Sequence, residues 1–161
     1  MIRRTKCLFM LVLLPVAAFG KTVYSGEFDY HYFESPQVYF KGRTAAELAR
    51  LCDGRDNATN DDLAQCSHQK FVRLNSELNG RLKAMREKLA NRDKSLTADG
   101  EPKAMPYFEK AQSSWAGYRD NECYSETYVM GEAAERYIFF WECMAGITES
   151  RSKEIGELLK Y

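Results

Sequence analysis

Residues 60–89 read NDDLAQCSHQKFVRLNSELNGRLKAMREKL, and in them Leu63, Phe71, Leu74, Leu78, Leu82, Met85 and Leu89 recur mostly every three or four positions. That spacing draws one apolar stripe along a helix of about 30 residues, which needs partners along its length. Thr59 or Asn60 caps its start, with Asp61 and Asp62 near the positive end of the helix dipole. Gly80 weakens the helix slightly.

Downstream, residues 91–105 carry a loop composition in Asn91, Asp93, Ser95, Asp99, Gly100 and Pro102, which predicts that the chain leaves the helix there. Pro106 suits the first turn of a second long helix. That helix presents Phe108, Ala111, Trp115 and Tyr118 on one side and is expected to end near residues 123–126. A turn at Met130 and Gly131 leads into a third, whose stripe is Tyr137, Phe140, Trp141, Met144, Ile147, Ile155 and Leu158. Upstream, Thr44 and Glu47 form a capping box that opens a short helix over 45–52, broken by residues 53–57.

The fold class expected is therefore all-α: an antiparallel bundle of three long helices plus one short helix, linked by disulfides. The helical domain spans 44–161, preceded by an aromatic arm over 21–43. That arm holds Tyr24, Phe28, Tyr30, Tyr32, Phe33, Tyr39 and Phe40. Residues 28–32 alternate with period two, the pattern of a half-buried strand, so an extended arm or short hairpin is expected as a lid on the core.

Residues 1–20 have the plan of a secretory signal peptide: Arg3, Arg4 and Lys6, an apolar run over 7–19, and the tripeptide Ala18-Phe19-Gly20. The run is too short to span a bilayer, so no membrane anchor is expected after cleavage. The whole chain of 161 residues has 23 basic and 23 acidic side chains. Loss of the leader removes three of the basic ones and leaves a net charge of about −3. That balance excludes the broad basic surface of a nucleic-acid binder. Cys7 leaves with the leader. Cys52, Cys66, Cys123 and Cys143 remain, an even set that in an oxidising compartment forms two disulfides, with three pairings possible. The absence of a Cys-x-x-Cys pair makes a zinc site a poor alternative. No cofactor or metal is expected.

Enzymatic chemistry finds little footing. His31 lies in the aromatic arm and His68 on a polar helical face, neither in a catalytic motif. No nucleophile elbow, phosphate-binding loop or dinucleotide fingerprint occurs. Carboxylates are plentiful, but no pair is singled out for glycosidase chemistry.

One segment is more specific. Gln112, Trp115, Tyr118, Arg119, Asp120 and Cys123 stand in the order Gln, two residues, Trp, two residues, aromatic, Arg, Asp, two residues, Cys. Cys66 is followed by Leu78-Asn79, and Cys143 by Thr148 and Arg151. This pattern resembles the signature of the LprI-type lysozyme inhibitor family over about residues 52–158. The wide interval from Cys52 to Cys66, and Leu82 where an aromatic is common, depart from it, and the arm lies outside it. The resemblance implies a small, exported, disulfide-linked helical protein whose founding member inhibits lysozyme.

Most signature residues are expected to serve the fold. Trp115 anchors helix packing. Arg119 and Asp120, adjacent on a helix, point to different sides and do not pair; Arg119 reaches a neighbouring helix near Thr148. Arg151 is an internal clamp or snorkels. The function implied is a non-enzymatic protein with a protein partner, lysozyme, whose cleft it plugs through the 53–58 or 91–105 loop. The alternative is an envelope interaction, immunity or regulatory protein that binds another exported protein through the aromatic arm. Oligomeric state is not set by the sequence.

Overall fold

The computed structural model describes residues 22–161, so the leader lies outside the described residues. Among the described residues there is no strand. A 3-10 turn at Tyr30–Tyr32 precedes five helices: α1 Pro36–Tyr39, α2 Ala45–Cys52, α3 Asn60–Ala98, α4 Met105–Val129 and α5 Arg136–Leu158. Capping boxes start α2 at Thr44 with Glu47 and α3 at Thr59 with Asp62.

Residue pairs across the bundle give the directions. His68 meets Trp141, and Lys88 reaches the carbonyls of Leu158 and Leu159, so α3 and α5 run parallel. Glu109 meets Arg86 and Tyr124 meets Phe140, so α4 runs antiparallel to both. The bundle is thus up, down, up, as expected for three helices joined by short turns.

Two expectations about the backbone need correction. Asn91, Asp93 and Ser95 lie within α3, which runs on to Ala98. The helix stops at Gly100, whose φ is +77°. Glu101 N–H donates to the Leu96 carbonyl and Gly100 N–H to that of Thr97, the paired bonds of a Schellman stop. Polar composition was misleading there because Asp93 works across the bundle. Its carboxylate is buried and accepts from the N–H groups of Ala104 and Met105 at 2.8 and 3.1 Å, capping α4, which lacks a cap of its own. The candidate 91–105 loop shrinks to residues 99–104.

Residues 28–32, secondly, form a turn and no strand or hairpin. The Asp29 carboxylate accepts from the His31 N–H at 3.0 Å and closes the backbone locally. The arm is nevertheless a lid: Phe28, Tyr30 and Phe33 pack on the main core cluster of Phe71, Leu74, Phe140, Trp141 and Met144. Arg136, 2% exposed, holds it down by donating to the carbonyls of Tyr24 and Gly26 while its guanidinium lies 5.2 Å from the Phe28 ring centre. A second cluster, Leu78, Leu82, Met85 and Ile155, continues the seam between α3 and α5. Gly156 leaves room there for Arg81, which crosses α5 to reach the Ser152 carbonyl.

The disulfides are Cys52–Cys66, joining α2 to α3, and Cys123–Cys143, joining α4 to α5. Removing the second by Cys123→Ala with Cys143→Ala is expected to cost about 2–4 kcal/mol, read as a lower urea midpoint; an unchanged midpoint would show the bridge to be dispensable.

His68, expected on a polar face, is buried and stacks on Trp141 with ring centres 3.7 Å apart. Burial pulls its imidazole down from an ordinary 6.5 to about 4. The unfolded chain therefore takes up a proton that the folded chain refuses. Stability from this site is complete above pH 6.5, falls between 6.5 and about 4, and is level below that. His68→Phe should remove about 2–3 kcal/mol of that acid sensitivity, measured by urea unfolding across the same range; equal pH slopes in both proteins would refute it.

Candidate functional site

Five signature residues converge on one shallow groove between α3 and α4. Leu78 and Asn79 come from α3 and Gln112, Trp115 and Arg119 from α4, around a volume of about 360 Å³. The inner face of α4 is polar: Gln112, Arg119, Cys123 and Thr127 are its buried residues. This is why the apolar side traced through Phe108, Ala111, Trp115 and Tyr118 was the wrong guide. Phe108 and Trp115 sit at the shoulder and pack on the second cluster. Ala111 and Tyr118 face solvent, Tyr118 at 55% exposure. Trp115 is only partly buried, and the tryptophan that anchors the core is Trp141, 1% exposed.

Arg119 lies between two rings, its guanidinium 5.3 Å from the Phe71 centre and 5.2 Å from that of Trp115. Contrary to the sequence argument, it pairs with its neighbour: Nη2 donates to Asp120 at 2.7 Å and Nε at 2.8 Å. The long side chain curls back over its own turn, which the spacing of Cα atoms alone does not disclose. Asp120 also accepts from the Tyr30 hydroxyl at 3.1 Å, so the signature pair is tied to the arm. Burial first, and then the Asp120 charge, push the Tyr30 phenol up to about 12, which keeps it a donor.

Thr148 is fully buried on α5 and is not the partner of Arg119; its hydroxyl makes no hydrogen bond. Arg151 donates from Nε to Gln112 Oε1 at 3.3 Å and from Nη1 to Glu154 at 2.7 Å, so it clamps α5 to α4 while its head reaches the surface. Cys123 closes one end of this network through its bridge to Cys143. At the groove's other end Arg86 binds Glu109 through two hydrogen bonds of 2.6 and 3.2 Å, and these hold the Glu109 carboxyl below its ordinary range. A carboxylate so held is a poor proton donor or acceptor near neutrality. Among the described residues no group of three or more His, Cys, Asp and Glu is placed to hold a metal ion, and no helix is long and apolar enough to cross a membrane.

A larger open depression, about 1010 Å³, lies between α2, α3 and α5 and is lined by Cys52, Cys66, Arg55, Lys70, Ile138 and Glu142 among others. The 53–58 loop forms its edge, with Arg55 and Asn57 at positive φ. Sequence reasoning missed Asp93 and Arg136. The only available signals were an acidic residue four positions past the last stripe residue, Leu89, and a lone arginine directly before Tyr137, Phe139 and Phe140.

Arg119→Ala is expected to cost about 2–3 kcal/mol, because it leaves the half-buried Asp120 charge without its cation and opens a gap between two rings. It should also speed amide exchange at Tyr30. Wild-type stability in the variant would refute the packing role assigned to Arg119.

The description "Lysozyme inhibitor LprI" matches residues 52–155. An uncharacterized protein of Rhizobium meliloti (strain 1021) is 26% identical over 110 residues, covering 67% of this chain and 79% of that one. No solved structure matches. The matched segment starts at the first bridging cysteine, takes in both disulfides and the whole signature, and stops short of the arm, and on that match the chain belongs to the LprI lysozyme inhibitor family.

Proposed function

We propose that this chain is an exported, non-enzymatic lysozyme inhibitor that loses residues 1–20 and blocks lysozyme by obstructing its active-site cleft. The observation that carries this reading is the family match over 52–155. Export is supported by the leader pattern of residues 1–20 and by two cystines, which persist in oxidising compartments.

Obstruction needs a rigid projection rather than chemistry, since excluding the sugar chain suffices. The 53–58 loop suits this task. Cys52–Cys66 closes its base, and it is fixed by bonds such as Gly54 N–H to the Ala49 carbonyl. A loop held in one shape before binding loses little entropy on docking. The net charge of about −3 also favours encounter with lysozymes of the common animal type, which are basic.

The test is a cell-wall clearing assay with mature protein, residues 21–161. Dose-dependent inhibition is expected, with a raised KM, an unchanged kcat, and loss of the effect after reduction of the disulfides. Full lysozyme activity at large molar excess of oxidised protein would overturn the proposal.

A further inference from the structure

One end of the bundle differs in charge from the rest. Here the arm, the end of α4 and the start of α5 meet: Ser25 donates to Glu132, Phe28 N–H to the Tyr128 hydroxyl, and the Tyr137 hydroxyl to the Val23 carbonyl. Residues 22–40 and 120–135 together carry eight carboxylates and no lysine or arginine. Arg136, which follows, is buried and occupied by arm carbonyls. Elsewhere in residues 22–161 basic side chains outnumber acidic ones. Lys94, Lys103 and Lys110 stand at the opposite end, around the junction of α3 and α4.

Large apolar side chains are left in water at this end too, six of the ten so exposed among the described residues. Val23 is 82% exposed, Tyr32 88%, Val129 87% and Phe139 49%. None of these four is needed to fill the core. Apolar groups exposed inside a polar rim mark surfaces that bind other proteins. The 53–58 loop borders the same end, because Arg55 and Ile138 line one depression.

We infer that the end built from the arm, the α4 terminus and the α5 start is a docking face for a basic protein, with Tyr32 and Val129 as contact residues and Glu126 and Glu135 as steering charges. The occupant follows from complementarity: seven carboxylates remain once Asp120 is set against Arg119, and they outnumber the exposed cations at the border, Lys41 and Arg55, so the face repels an acidic partner or a second copy of itself and attracts a cationic surface. This inference rests on the proposed function and deepens it, naming the surface by which lysozyme would be held while the neighbouring loop enters its cleft.

The experiment uses surface-immobilised mature protein and a basic animal-type lysozyme at several salt concentrations. Glu126→Lys with Glu135→Lys is expected to slow association by about tenfold and flatten its salt dependence, because charges set the encounter rate. Tyr32→Ser with Val129→Ser should speed dissociation by about tenfold and leave association unchanged. Lys103→Glu with Lys110→Glu, at the far end, should change neither. All six positions belong to exposed segments, and far-ultraviolet dichroism with a melting curve verifies each fold. Wild-type kinetics in both acidic-end variants would overturn the docking face and leave the inhibitor reading intact. No binding by the wild-type protein would overturn both.

Discussion

The structure depends on the burial of one indole. Trp141 is 1% exposed, with the His68 imidazole stacked on it and the Phe71 and Phe140 rings alongside. Tyr30 and Phe33 of the arm meet it edge-on, with ring centres 5.8 and 5.5 Å away. An aromatic side chain of this size buries more apolar area than any other residue. Its placement at the junction of α3, α5 and the arm therefore sets their separation together. The arm is thus part of the folded unit, although the family match omits it.

Polar groups then lock what the aromatic cluster brings together. Arg136 is spent on the carbonyls of the arm, Arg119 on Asp120, Arg151 on Gln112, and Asp93 on the start of α4. Arg136, Arg119 and Asp93 are charges taken from water, which is costly unless they are partnered. Each partner comes from another element or, for Arg119, from a neighbour that itself holds the arm. Gln112, Arg119, Cys123, Thr148 and Arg151 thus sit where α3, α4, α5 and the arm join, whereas Asn79 and Tyr118 of the same signature face solvent.

Three of the errors in reading the sequence share a cause. The polar run at residues 91–105 reads as a loop, the apolar side of α4 reads as its inner face, and adjacency on a helix reads as divergence of Arg119 and Asp120. In every case a polar side chain was taken to prefer water. Asp93 and Arg119 are instead buried because the start of α4 and the neighbouring Asp120 meet their charges, and Gln112 is buried with its Oε1 accepting from Arg151. Composition records the cost of burying such a group but not the partner that offsets it. The arm failed differently: period-two alternation over five residues did not outweigh one Asp29 side chain that closed a turn on the His31 amide.

Local periodicity and local hydrogen bonds suffice for the all-α class, three long helices and a short one, the capping box at Thr44, a helix start at Thr59 or Asn60, the turn at Gly131 and the two-bridge cysteine count. Tertiary packing alone settles which cysteines pair, which face of α4 turns inward, that His68 lies buried and stacked on Trp141, and that carboxylates gather at one end. Those outcomes join residues up to 114 positions apart, as when Tyr137 meets Val23. A linear pattern holds no distance between such residues until the core has packed.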